Sequence, residues 1–498
     1  MSSKTVKLRI PVNRVEGDLD IEVSIKDNII TDAKSIGTLY RGFENILRGR
    51  DPLDALVITP RVCGICSVSH LTASVNAIEN AYNITPPKQA VRFRNISLIS
   101  ENLQSDLRQI FLMFMADFAN DYYKKHSFYD TAVKLYAPFK GEFTKKVLNI
   151  TKEIVKIIAY IGGQWPHTSH MVPGGLNVIS DDLEVLRIKF LLIKIKKWIE
   201  EEILNYDIET FKNEIINFNK LEQFATQNPN SQISIFFNIL KEAKLLTLGK
   251  TGYGFINYGY MDLENGKKLI PPSIINKNKT EKLDINKITE DVTYSWYEGK
   301  NENPFKESTI PNANKKKAYS FTKAPRYDNN VYQTGPLGEE LAANNKLISD
   351  LYNKFGDSIF VREFARLIRP IRFIEFMLEE IETIILNLNE PLYTKNKKIQ
   401  NTNGVGLTHA ARGALGHWIK ITHGKISNYQ IISPTTWNGS PKDSNGNLGP
   451  WEKALIGTHI KDLDNPVEMG HVIRSFDPCL VCTVHFMGDK NSKLTIKV

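Results

Sequence analysis

The chain is short of cysteine: its 498 residues contain four. All of them fall in two Cys-x-x-Cys pairs, Cys63 with Cys66 and Cys479 with Cys482. That usage excludes a secreted disulfide scaffold, which spreads many cysteines through a small domain. No run of about 20 uninterrupted apolar residues occurs, so a membrane span is not expected. The opening residues, Met1 to Lys7, lead into alternating strand-like sequence without the apolar stretch of a signal peptide. A reducing, cytoplasmic setting is the expectation. The formal charge of +9 is scattered among asparagines and glutamates. Without a basic stripe or a reading motif it describes a solvated surface, and no nucleic-acid partner is implied.

What is present is patterned. Residues 5–35 alternate apolar and polar, with turn signals at Gly17 and Asp27-Asn28, and read as a small antiparallel sheet. From about residue 70 the period becomes helical. Apolar residues recur at three- and four-residue steps over 88–125, from Val91 to Phe114. A second helix is expected over 181–218, opened by a capping box of Asp181 and Glu184, and a third over 360–388 with a kink at Pro370. Segments 274–316 and 395–403 carry few apolar anchors and read as surface excursions. Beyond Gly404 the sequence turns glycine-rich and irregular. The fold class is therefore α+β and predominantly helical. A long-helix bundle spans 70–390, with an N-terminal β annex and an irregular C-terminal metal-binding region over 404–485, all in one domain, 1–485.

The four cysteines sit in Arg61-Val62-Cys63-Gly64-Ile65-Cys66-Ser67-Val68-Ser69-His70 and Ser475-Phe476-Asp477-Pro478-Cys479-Leu480-Val481-Cys482-Thr483-Val484-His485. Zinc ribbons close loops of about 15–20 residues between pairs. Here more than 400 intervene, which disfavours a local zinc module and leaves a long-range zinc site open. Thiolates are soft donors that also suit nickel and low-spin iron. Two terminal and two bridging sulfurs are enough for a bimetallic centre.

The motifs around the cysteines resemble those of the NiFe hydrogenase large subunit. The similarity extends over Arg14-Val15-Glu16-Gly17-Asp18, Tyr40-Arg41-Gly42-Phe43-Glu44, Gly49-Arg50-Asp51-Pro52, the stretch Gly162 to Gly175, Ala411-Arg412-Gly413-Ala414-Leu415-Gly416-His417-Trp418 and Pro434-Thr435-Thr436-Trp437-Asn438. Asp18, where most members carry His, is similar to the group 2 uptake branch. The stretch Gly162 to Gly175 is similar to the form seen in that group, with His170 where an aromatic residue is more usual.

The resemblance implies roles. Cys63 and Cys479 would be terminal nickel ligands, and Cys66 and Cys482 would bridge to an iron carrying cyanide and carbon monoxide. Glu16 would carry the proton away from Cys479, and Arg412 would lie over the open face of the metals. Thr435 would hydrogen-bond a cyanide in a pocket shared with Pro434. Glu44, His485 and the Ile431 carbonyl would hold magnesium, and His70 would donate to a bridging sulfur. His167, His417 and His471 are read as structural.

The implied activity is heterolytic oxidation of dihydrogen. No cysteine is left for an iron–sulfur cluster, so electrons require a cluster-bearing small subunit. A maturation protease and a nickel chaperone are further implied partners, and residues 486–498 read as a tail removed after His485. The alternatives are a hydrogen sensor built on the same centre and a metal-free structural descendant. Sensors typically end at the last motif histidine, and descendants lose the cysteines.

Overall fold

The computed structural model describes residues 5–177, 181–263, 266–277, 279–306, 308–395 and 398–482. Strands β1 (Val6–Pro11), β2 (Leu19–Lys26) and β3 (Ile29–Gly37) form an antiparallel sheet in sequence order. Asp27 and Asn28 both take left-handed φ (52° and 62°). A two-residue hairpin turn needs that handedness to match the twist of its strands.

Helix α1 (Ser67–Tyr82) starts directly after Cys66 and ends at Asn83, which turns left-handed at φ 52°. After Pro86-Pro87, helix α2 (Lys88–Arg108) runs through the centre of the molecule, almost wholly buried. It packs on α3 (Glu142–Gly162) and on α5 (Ile359–Leu386), while α4 (Asp182–Trp198) packs on α3 and α5. One hydrophobic core runs through these helices and into the N-terminal sheet. Among the described residues no helix is long and apolar enough to cross a membrane.

Several boundaries differ from the sequence reading. The helix expected over 88–125 leaves α geometry after Arg108, passing through a π-helical turn (Gln109–Phe114) and a 3-10 turn (Met115–Ala119). A wider turn inserts one residue without interrupting the apolar pattern, so periodicity cannot reveal it. The expected helix over 181–218 opens as read, with Asp181 accepting the Glu184 N–H, but it ends at Asn205 (φ 49°). Asp207 and Asn217 then cap two new helices, Ile208–Glu214 and Phe218–Gln227. Helix α5 runs through Pro370.

Segment 274–316 is a surface excursion only in part: strand Lys279–Lys282 is exposed, but other stretches are not. Its strands Ser273–Asn276 and Ile288–Asp291 are largely buried. Ile274, Leu283 and Ile288 join Trp418 and Trp437 in a second core cluster. Nor is the region after Gly404 irregular throughout, because 402–432 form an antiparallel meander of β4 (Thr402–Ala410), β5 (Gly413–Thr422) and β6 (Lys425–Ile432). Strand β5 is buried on both faces for most of its length, which removes the alternation that marks a half-exposed strand.

The glycines here serve close packing. A Cβ on Gly406 would lie 1.9 Å from the Ala73 carbonyl oxygen, and one on Gly404 would lie 2.2 Å from that of Ala77. Strand β4 thus rests directly on the backbone of α1, against its Ala73, Ala77 and Ala81. Gly406→Ala is expected to destabilise the protein by about 1–3 kcal/mol, because neither backbone can yield. A denaturant midpoint equal to wild type would show that the two elements can part.

Candidate metal centre

Cys63 precedes α1 in the chain, and Cys479 follows the helix α6 (Val467–Arg474). Their Sγ atoms lie 3.5 Å apart. The sulfurs of Cys63, Cys66 and Cys479 all lie within 4.8 Å of one another, buried and in no disulfide. Ala73, Ala410 and Leu415 pack around them. Three soft donors converging in a dry pocket fit a soft transition metal. The Cys482 side chain, His485 and residues 486–498 lie outside the described residues.

The N-terminus of α1 is anchored by the buried Glu101 of α2. Its carboxylate accepts the Val68 and Ser69 N–H groups (2.8 Å each), the Ser67 and Ser69 hydroxyls and the Trp165 Nε1–H. Burial pushes this carboxyl up to about 7, against the hydrogen bonds from Val68, Ser69 and Trp165 that lower it. Glu101 thereby fixes where the chain leaves Cys66.

Arg412 sits between β4 and β5. Its Nε donates to the Asp477 carbonyl (2.9 Å) and its Nη2 pairs with Asp477 Oδ1 (3.0 Å). Burial alone would lower the guanidinium, but Asp477 and the sulfurs of Cys479, Cys63 and Cys66 together push it well above its ordinary value. Its Nη1 is buried without a partner, an orphaned donor beside three sulfurs. Asp477 takes φ 53°, a conformation that Asp tolerates better than most residues.

Glu16 forms a backbone bridge with Cys479. Burial and the Cys63 sulfur raise its carboxyl above the usual range, Arg412 opposes them, and Asp477 adds to the rise. A carboxyl so placed holds a proton more readily than an exposed one.

Thr435 stands in the short helix Pro434–Asn438, with Pro434 buried at its first position. Its Oγ1 accepts the Cys479 N–H (3.1 Å), which leaves the hydroxyl proton free for another acceptor. His70 is buried in α1, its Nδ1 3.0 Å from His417 Nε2, and His417 Nδ1 lies 2.8 Å from the Tyr429 hydroxyl. Burial lowers His70 to about 4, the Cys63 sulfur opposing. The ring is therefore neutral, and its Nε2 is unpartnered.

Of the expected magnesium ligands, Glu44 and Ile431 lie among the described residues. Glu44 Oε1 accepts the Ile431 N–H (2.9 Å), Oε2 accepts the Thr309 hydroxyl, and the Lys323 ammonium lies 3.6 Å away. Lys323 also lies 3.3 Å from Glu290 and donates to Gln430 Oε1 (2.7 Å). Ile431 meets Glu44 through its N–H. Among the described residues Glu44 is the one carboxylate expected to bind magnesium, and a lysine already stands beside it.

A family model described as nickel-dependent hydrogenase matches residues 41–120 and 112–485. The chain belongs to that family. It is a hydrogenase, an oxidoreductase acting on dihydrogen. It is 31% identical to the periplasmic [NiFeSe] hydrogenase large subunit of Desulfomicrobium baculatum, over 97% of this chain and 95% of that one. The uptake hydrogenase large subunit of Rhodobacter capsulatus is 29% identical over 97% and 96%. The structure of a variant [NiFeSe] hydrogenase from Desulfovibrio vulgaris Hildenborough superposes with a TM-score of 0.84 at 29% identity, covering 97% of this hydrogenase and all of that chain.

Sequence reasoning missed Glu101, the pairing of His70 with His417, and the partnership of Asp477 with Arg412. Only Asp477 carried a signal, its place in Phe476-Asp477-Pro478-Cys479. Thr435→Val should strand the Cys479 N–H and cost about 1–3 kcal/mol, lowering the nickel content of the purified protein. Thr435→Ser, which keeps the acceptor, should behave as wild type. Equal nickel content in the two variants would contradict this role.

Proposed function

We propose that this hydrogenase is the catalytic large subunit of an uptake enzyme that oxidises dihydrogen and passes electrons to an iron–sulfur small subunit. The observation that carries the reading is the convergence of the Cys63, Cys66 and Cys479 sulfurs beneath Arg412. With Cys482, they would hold nickel through Cys63 and Cys479, and share Cys66 and Cys482 with an iron bearing cyanide and carbon monoxide. That centre, when bound, supplies the Lewis acidity that makes dihydrogen, a very weak acid, heterolysable.

The protein's own part is electrostatic and protonic. Arg412 keeps a fixed positive charge over the sulfurs, with one donor unspent, and Asp477 fixes its orientation. Thr435 and Pro434 line the adjoining wall. His70, held neutral and braced by His417, presents one ring nitrogen. Glu16, beside Cys479 and with a raised carboxyl, is placed to take the proton onward. Magnesium at Glu44, Ile431 and His485 rests on the family resemblance, and no step is routed through it.

The small subunit is supported by the cysteine count, since none remains outside the two motifs. Names of relatives, such as the uptake and quinone-reactive hydrogenases, support uptake. Asp18 and the form of the stretch Gly162 to Gly175 support the group 2 branch. A cytoplasmic setting rests on cysteine usage, while one relative is named periplasmic. One domain over 1–485, with the tail 486–498 removed by a maturation protease after delivery of nickel by a chaperone, completes the reading. The intact mass of the active enzyme tests that cleavage.

Cys479→Ser is expected to abolish nickel retention and activity, because a hard alkoxide replaces a soft thiolate. Elemental analysis of the purified complex checks it. Wild-type nickel in this variant, or zinc in the wild-type protein, would overturn the assignment.

A further inference from the structure

The loop around Glu16 and the segment leading to Cys479 come from opposite ends of the chain and meet along one short bridge. The Glu16 N–H donates to the Pro478 carbonyl (3.2 Å) and the Leu480 N–H donates to the Glu16 carbonyl (2.6 Å). Gly17 permits the approach, with φ +82° and a Cβ position only 2.8 Å from the Val481 nitrogen. Two backbone hydrogen bonds at the edge of a loop are a weak clasp for a pair of groups that must exchange a proton.

Beneath this bridge lies Asp117, buried in the 3-10 turn that follows α2. Its Oδ1 accepts from Arg14 Nη2 and from Arg474 Nη2 (2.8 Å), and its Oδ2 accepts from Arg474 Nε (2.7 Å). Arg14 stands two residues before Glu16, and Arg474 five before Cys479. Arg474 Nη1 also reaches the Asn13 carbonyl (3.1 Å) and side-chain oxygen (3.2 Å), and Arg14 Nη1 donates to the Met113 carbonyl (3.3 Å). Gly470 leaves room for Arg474, since a Cβ there would lie 2.0 Å from Nη2.

The other titratable groups facing Asp117 are His471, whose Nδ1 is 3.4 Å from Oδ2, and Tyr123, whose hydroxyl is 2.7 Å from His471 Nε2. Burial lowers His471 to about 4, Asp117 opposing, so the ring is neutral. Burial would raise Asp117, but Arg474, Arg14 and His471 hold it below its usual range. One carboxylate therefore serves two guanidiniums, each belonging to a different segment of the bridge.

We propose that Asp117, with Arg14 and Arg474, is a positioning device that sets the approach of Glu16 to Cys479 and so the efficiency of proton exit. This rests on the reading of Glu16 as proton carrier. A clamp of this kind acts on the register of two segments, not on the sulfurs themselves. The Asp117–Arg474 pair is self-sufficient: removing Arg14, which is the more exposed arginine (27% against 7%), leaves no buried charge unpaired.

The test uses the complete enzyme with Arg14→Gln, Arg14→Lys and Glu16→Gln. Amide hydrogen exchange of peptides covering 12–18 and 474–482 reads the bridge, and dideuterium–water exchange reads proton exit. Arg14→Gln should keep its nickel yet lose protection at the Glu16 and Leu480 N–H groups by roughly tenfold or more. Its dideuterium–water exchange should fall by about tenfold or more, with Arg14→Lys between it and wild type. Wild-type protection and exchange in Arg14→Gln would overturn the proposal, as would loss of nickel in both Arg14 variants, the mark of a folding role. If Glu16→Gln is silent while Arg14→Gln exchanges normally, the clamp alone fails. If Glu16→Gln itself exchanges at the wild-type rate, the proton-carrier reading fails, and the clamp proposal with it.

Discussion

A sulfur from residue 63 and a sulfur from residue 479 must come within 3.5 Å of each other, and much of the architecture follows from that demand. Closing a loop of this length costs entropy that no local motif can recover. The closure is held by packing elsewhere. Helix α1 is pressed onto the glycines of β4, and Glu101 ties the α1 N-terminus to the central helix. The N-terminal loop at Glu16 bridges Cys479. The site exists only as a property of the folded whole.

The same closure explains the unusual density of buried charge. Bringing thiolates together in an apolar pocket is unfavourable without compensation. Arg412 provides it from one side, and Asp477 in turn holds Arg412. Farther out, Arg369 bridges Asp106 and Glu339 and donates to the Ala411 carbonyl, one residue before Arg412. Each ion pair orients the next, so the field over the sulfurs is fixed before any ligand arrives. Such preorganisation is what an electrostatic catalyst requires.

Legibility from the sequence divides along physical lines. The N-terminal sheet was readable because β2 alternates strictly and Asp27-Asn28 signals its turn. The cysteine pairs and Arg412 were readable because their spacing carries chemistry. The end of α2 was not, since a π turn leaves the apolar pattern intact. Strands β4 to β6 were hidden because β5 is buried on both faces and because Gly404 and Gly406, read as loop residues, are there to admit the α1 backbone. The neighbours of Glu44 were hidden for a related reason: Thr309 and Lys323 arrive from a lysine-rich stretch and its flank that look solvated until folded. Glu101 in α2 and Asp117 in the 3-10 turn beyond it were invisible, because their partners are set by tertiary structure alone.

The central claim is that these sulfurs gather nickel and an iron with diatomic ligands. An infrared spectrum of the purified complex addresses it directly, because cyanide and carbonyl stretches fall where protein absorbs little. The account predicts both kinds of band, changing on exposure to dihydrogen and missing from Cys479→Ser. Their absence from active wild-type enzyme that contains nickel and iron would contradict it.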